Sequence, residues 1–274
     1  MEIRTILVSV DIDSFSPELL QCAGNLAKRF DAALIGLAAA EPSAALVGVE
    51  GLGATVGWYQ KEREDIEARL RTLEGQFRSL APADLKVDWR AHVAAPNRSL
   101  ASTASCADLI LAGSRHHRPD GNYQRSLDLG ELVLSAGRPV LVVGAGVAEV
   151  KADKVVIGWK DTREARRAVS DALPFLKAAG DVFIATIDEG DLGAEKANLE
   201  DVLAWLERHD VKARGDVYPD KGGPANSLEG IAKSIEADLV VTGGYGHSRL
   251  REWLFGGMTR DLLAAQTINR FMSN

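Results

Sequence analysis

The sequence predicts an α/β protein of two tandem, doubly wound domains, each built on a five-stranded parallel sheet. Two observations carry this expectation. Short apolar runs rich in β-branched residues, such as "ILVSV", "LILA", "VLVV" and "DLVV", show no alternation, the habit of parallel strands buried on both faces. The chain also repeats itself: "RTILVSVDIDSFSPELLQCAGNLAKRF" resembles "DKVVIGWKDTREARRAVSDALPFLKAAG", and "ADLILAGSRHH" from Ala107 matches "ADLVVTGGYGH" from Ala237.

Strand and helix patterns alternate along each half, which implies right-handed crossovers. In the first half, strands are expected at 4–10, 33–40, 86–94, 108–113 and 139–144, and helices at 16–29, 59–80, 97–106 and 127–136. In the second, strands are expected at 154–159, 182–187, 211–218, 238–243 and near 269–273, with helices at 163–179, 194–209, 225–236 and 257–265. Pro174 should bend the first of these helices, because a mid-helix proline loses a hydrogen bond and clashes with the preceding turn.

The domains are expected at 1–146 and 151–274, with the small and polar stretch "GAGVAEVKAD", 144–153, linking them. The landmarks Asp11 and Lys160 lie 149 residues apart and the two "ADL" motifs 130 apart, so the first half carries a longer insert. Its segment "EPSAALVGVEGLGATVG" reads as a loose loop, with Gly51, Gly53 and Gly57 misspaced for a dinucleotide fingerprint. The terminal "TINRFMSN" is a weak fifth strand with an exposed edge, suited to pairing with the other half or with another chain.

Composition narrows the function. Thirty-nine acidic against 32 basic residues give a net charge of −7, and the basic residues are scattered, so nucleic acid is not expected as a partner. Cys22 and Cys106 stand in apolar, helix-like surroundings and read as reduced thiols packed as small hydrophobes. The start lacks a signal-like pattern, and no apolar run reaches the roughly 18 residues of a membrane span. A cytoplasmic protein without membrane association is expected.

The motif that bears most on function is "GGYGHSRLREWLFGGMT", 243–259, between the strand "DLVVT" and the helix pattern "MTRDLLAAQ". Loops at the carboxyl ends of strands in such sheets gather ligands, and their N–H groups and helix dipoles suit anions. The loop is not a Walker A motif, which ends in Gly-Lys-Ser/Thr, nor a Rossmann fingerprint. A glycine turn needed only for packing is the structural alternative.

Gly243, two residues, Gly246, nine residues and then Gly256 resembles the universal stress protein signature, Gly-2x-Gly-9x-Gly followed by Ser or Thr. With "ILVSVD", the "ADL" approach to the fourth strand and the duplication, the resemblance to a tandem universal stress protein covers nearly the whole chain. It implies an adenine nucleotide α-hydrolase-like fold, fused as an intramolecular pseudo-dimer that can pair further into a homodimer. It also implies ATP, with Mg²⁺, in members that bind nucleotide, and action through a protein partner that the sequence does not name.

By this resemblance the phosphate positions are Gly243, Gly246, Gly256, Gly257 and Thr259, with Thr242, His247 and Met258 beside them. Gly158, Trp159 and Lys160 end the first strand of the second half and complete the site. Two departures stand out: Gly257 replaces the hydroxyl residue, and Lys160 replaces the acid of the adenine side. An ammonium has three donors and no acceptor, so Lys160 suits a phosphate or the neighbouring Asp161.

The first half keeps the acid as Asp11, but His116 and Ser126 stand where Gly246 and Gly256 would fall, so its phosphate signature is lost. Asp11 then reads as a turn residue, and the adjacent His116 and His117 as a solvated loop rather than a metal site. No nucleophile–base arrangement is legible, so activity beyond weak ATPase or autophosphorylation is not expected. Two readings stay open: a nucleotide-binding stress regulator, or a nucleotide-independent stress scaffold or binder of another small anionic ligand in the same cleft.

Overall fold

A computed structural model of the chain describes residues 2–43, 52–114, 124–188, 190–244 and 268–274. The first half runs β1 (Thr5–Ser9), α1 (Pro17–Phe30), β2 (Ala33–Ala39), α2 (Leu52–Leu80), β3 (Val87–His92), α3 (Pro96–Thr103), β4 (Leu109–Gly113), α4 (Leu129–Ser135) and β5 (Val140–Val143). The second runs β6 (Lys154–Trp159), α5 (Arg163–Leu176), β7 (Asp181–Ile187), α6 (Leu192–Glu207), β8 (Ala213–Tyr218), α7 (Pro224–Ser234), β9 (Leu239–Gly243) and β10 (Asn269–Ser273). The helix expected at 257–265 lies outside the described residues.

Local chemistry sets the helix starts. Ser16, Asp128, Thr162 and Asp191 each accept a hydrogen bond from a first-turn amide of the helix they precede, satisfying a donor that has no intrahelical partner. Helices α3 and α7 instead begin on Pro96 and Pro224, where a missing N–H costs nothing. Pro174 falls in the last turn of α5, which continues through it and ends at Leu176.

One ten-stranded sheet joins the halves in the order β3-β2-β1-β4-β5-β10-β9-β6-β7-β8. Every neighbouring pair is parallel except β5 with β10, which run antiparallel with Leu141 opposite Phe271. Equivalent strands of a duplicated chain meet this way across a pseudo-twofold axis. The weak terminal strand thus pairs with the other half. Asn269 bridges the seam, accepting from Gly144 N at 3.0 Å and donating to the Asp238 carbonyl at 2.9 Å.

The helices bury both faces of the sheet, and Phe175 of α5 meets Phe30 of α1 and Phe271 of β10 at ring distances of 5.1 and 5.7 Å. That aromatic contact continues the core across the seam. The repeated "ADL" motif has a structural use: Asp108 accepts from the amides of Arg4 and Thr5, and Asp238 from that of Asp153, fixing the entry of β1 and β6 beside β4 and β9. Burial raises the Asp238 carboxyl above its ordinary range.

Two local differences from the sequence reading have physical causes. Helix α2 starts at Leu52 rather than at 59: Gly53 and Gly57 each cost about 1 kcal/mol in a helix, yet here they extend one of 29 residues. Its length against the 16 residues of α6 accounts for most of the first half's insert. Cys22 is buried as expected, but Cys106 is exposed in a single 3-10 turn, Ala104–Cys106, with its thiol directed to the Thr103 carbonyl at 3.1 Å.

Candidate functional site

The sheet order brings together the expected residues that the structure describes: Gly158, Trp159, Lys160, Thr242 and Gly243. Strands β6 and β9 lie side by side, with Gly158 registered on Thr242, while the chain leaves β6 for β7 on its other flank. That makes the carboxyl ends of β6 and β9 a topological switch point, where open α/β sheets leave a crevice for ligands. Gly158, Trp159, Thr242 and Gly243 converge there, and Lys160 follows directly on β6. Gly246, His247, Gly256, Gly257, Met258 and Thr259 lie outside the described residues, as do Trp253, His116 and His117.

The glycines at this point serve close approach. A β-carbon on Gly243 would stand 2.6 Å from the Ala165 amide nitrogen and 2.7 Å from the Glu164 carbonyl carbon, so β9 leaves the sheet against the first turn of α5. A β-carbon on Gly158 would stand 2.6 Å from Leu228 of α7 and 3.0 Å from Thr242. Gly158 therefore holds packing on one face of the sheet, and Gly243 brings the start of the glycine loop to a helix N-terminus on the other. Glu164 is buried there, with Arg163 3.0 Å from its carboxylate.

Among the described residues the same strand ends carry buried polar groups without a hydrogen-bond partner: the Thr242 hydroxyl, the Trp159 indole N–H and the Thr186 hydroxyl. Trp159 and Thr186 are registered partners on β6 and β7. Buried polar atoms are satisfied in the great majority of cases, so orphans gathered at one sheet end mark a place where further partners belong. Trp159 is also part of the core, as packing alone would have it.

The first half differs in kind. Asp11 accepts from the amides of Asp13 and Ser14 at 2.9 and 2.7 Å, forming the turn that leads into α1. Arg125 reaches from the segment before α4 to Asp13 with two bonds of 2.7 and 3.1 Å, and this partner raises the arginine's pKa further. The sequence reading missed that pair, since residues so far apart in the chain show no spacing signal. Beneath it a cavity of about 270 Å³ opens at the ends of β1, β4 and β5, lined by Asp11, Phe15, Gly113 and Ser114 among others.

A second cavity, of about 300 Å³, lies between α5 and α6 beside Trp159. Its α6 wall is Asn198, Asp201, Val202 and Trp205. Those residues recur at helical spacing, which was the available sequence signal. Among the described residues no group of three or more His, Cys, Asp or Glu side chains could hold a metal ion, and no helix is long and apolar enough to cross a membrane.

No protein-family model and no curated protein matches the chain. Solved structures do. A universal stress protein from Archaeoglobus fulgidus is similar at a TM-score of 0.74 and 15% identity, over 100% of this chain and 97% of that one. A functionally unknown protein from Pseudomonas aeruginosa is similar at a TM-score of 0.62 and 17% identity, over 99% of this chain and 92% of that one. The fold is that of a tandem universal stress protein, two doubly wound halves in one chain.

Proposed function

We propose that the second half binds an adenine nucleotide, ATP with Mg²⁺, and that the chain acts as a stress-response regulator by passing nucleotide occupancy on to a protein partner. The observation that carries this reading is Gly243. Its missing side chain lets the glycine-spaced loop begin against the first turn of α5, at the switch point and beside Trp159 and Lys160. The spacing of Gly243, Gly246 and Gly256 supports phosphate as the group bound.

In this reading the amides of Gly246, Gly256 and Gly257 and the Thr259 hydroxyl hold the phosphates, with His247 and Met258 flanking them. Lys160, in place of an acid, supplies charge to a phosphate oxygen rather than an acceptor to the base. Mg²⁺ would come with the nucleotide's phosphates, as it does where the protein offers few carboxylates. The first half, its signature lost and Arg125 bound to Asp13, supports the seam and takes no nucleotide.

Comparing ATP with adenosine in the wild type and in Lys160→Ala tests the role of the lysine. ATP is expected to weaken about tenfold in the variant, the scale of one charge-assisted hydrogen bond, while adenosine is unaffected. Equal binding of ATP to both proteins would remove Lys160 from the phosphate site. A folded wild type that binds neither compound would favour the nucleotide-independent scaffold.

A further inference from the structure

We infer that the cavity between α5 and α6 is a second ligand site, separate from the glycine loop, and that it takes a small organic ammonium of the choline class. Two indoles and two exposed carboxylates line this open cavity: Trp159 from the end of β6, Trp205 and Asp201 from α6, and Asp161 from the turn before α5. Its volume of about 300 Å³ is ample for a ligand of this size.

The charges select the sign of the ligand. Arg166 is the basic residue on the wall, and it lies 3.2 Å from Asp161. Asp201 has no ion-pair partner among the described residues, so the lining carries a net negative charge. A phosphate or carboxylate ligand would meet that charge unfavourably, whereas a cation gains from it.

The aromatic groups select its form. Tryptophan is the side chain whose ring face attracts cations most strongly, and an alkylated ammonium also gains from the apolar contact with Val169 and Val202. Trp205 is held in place by His209, whose ring stacks on it at 4.0 Å and whose Nδ1 lies 2.9 Å from the Trp205 carbonyl. The Trp159 N–H, which has no hydrogen-bond partner among the described residues, is a donor that the hydroxyl of a choline-class ligand can satisfy.

Asn198, Asp201 and Trp205 flank the stripe Leu199, Val202 and Leu206 by which α6 packs on the sheet. Trp205 also packs against the core from its half-buried position, whereas the exposed Asp201 beside it adds nothing to that packing. Their convergence with Trp159 and Asp161 is what a cation site requires.

The test titrates the full chain at low salt with choline and with 3,3-dimethylbutan-1-ol, which has the same shape and no charge, followed by calorimetry. Choline is expected to bind at one site per chain, and the alcohol at least about fivefold more weakly. Asp201→Asn and Trp205→Leu should each weaken choline about fivefold while their unfolding transitions remain cooperative, and Gly246→Glu, on the glycine loop, should leave it unchanged. Equal affinity for the two compounds, no choline binding to the folded chain, or loss of choline binding in Gly246→Glu would each overturn the proposal.

Discussion

Gly243 and Ala165 approach so closely that a β-carbon on the glycine would lie 2.6 Å from the alanine's amide nitrogen. The end of β9 and the start of α5 are thereby locked together at the point where the glycine loop begins. Among the described residues the equivalent Gly113 of β4 has no such neighbour, its nearest contact being Leu19 at 3.6 Å. The duplicated halves thus differ in geometry at the position where their sequences diverge.

Gly243→Ala is therefore expected to destabilise the chain by about 1–3 kcal/mol, since the added methyl meets backbone that cannot swing aside. Gly113→Ala should be neutral or stabilising by about 0.4–1 kcal/mol, through the restricted unfolded chain. Urea unfolding of both variants measures the contrast. Equal effects would mean that the approach at Gly243 is not a constraint.

Cys22 provides a pH prediction. Burial pushes its thiol from an ordinary value of 9.0 up to about 12; Cys106 is exposed. Between those pH values the unfolded chain has released a proton that the native state still holds. Native stability is thus full below about pH 9 and falls as pH rises towards 12. Urea midpoints at about pH 8 and about pH 10 should drop further in the wild type than in Cys22→Ala, and only Cys106 should react with a thiol reagent in the native state.

Arg270 of β10 is 2% exposed, and neither terminal guanidinium nitrogen has a hydrogen-bond partner among the described residues. Burial lowers its pKa to about 10 against a smaller opposing pull from Glu229, so it stays charged at neutral pH. A buried charge left without acceptors costs more than it returns. Arg270→Met should raise stability by about 1 kcal/mol or more in chemical unfolding. A loss would show that the arginine meets an acceptor in solution.

Much of this architecture was legible because parallel strands buried on both faces leave unbroken apolar runs. The runs at 4–10, 154–159 and 269–273 correspond to β1, β6 and β10, and the weak last strand found its partner in β5. The start of α2 was not legible, because Gly53 and Gly57 locally resemble a loop while the helix they extend is set by packing farther along. At the candidate site, Gly158, Trp159, Thr242 and Gly243 were singled out by the family resemblance, and the sheet register sets them at neighbouring strand ends. Contacts such as Arg125 with Asp13, or Trp205 with the neighbourhood of Trp159, depend on how distant elements meet in space.

The measurement that bears most directly on the central claim is a calorimetric titration of ATP with Mg²⁺ into the wild-type chain and into Gly246→Glu. One nucleotide per chain, with binding abolished in a variant that still unfolds cooperatively, is the predicted result. Undiminished binding in the variant, or no binding to the folded wild type, would contradict a nucleotide site on the glycine loop of the second half.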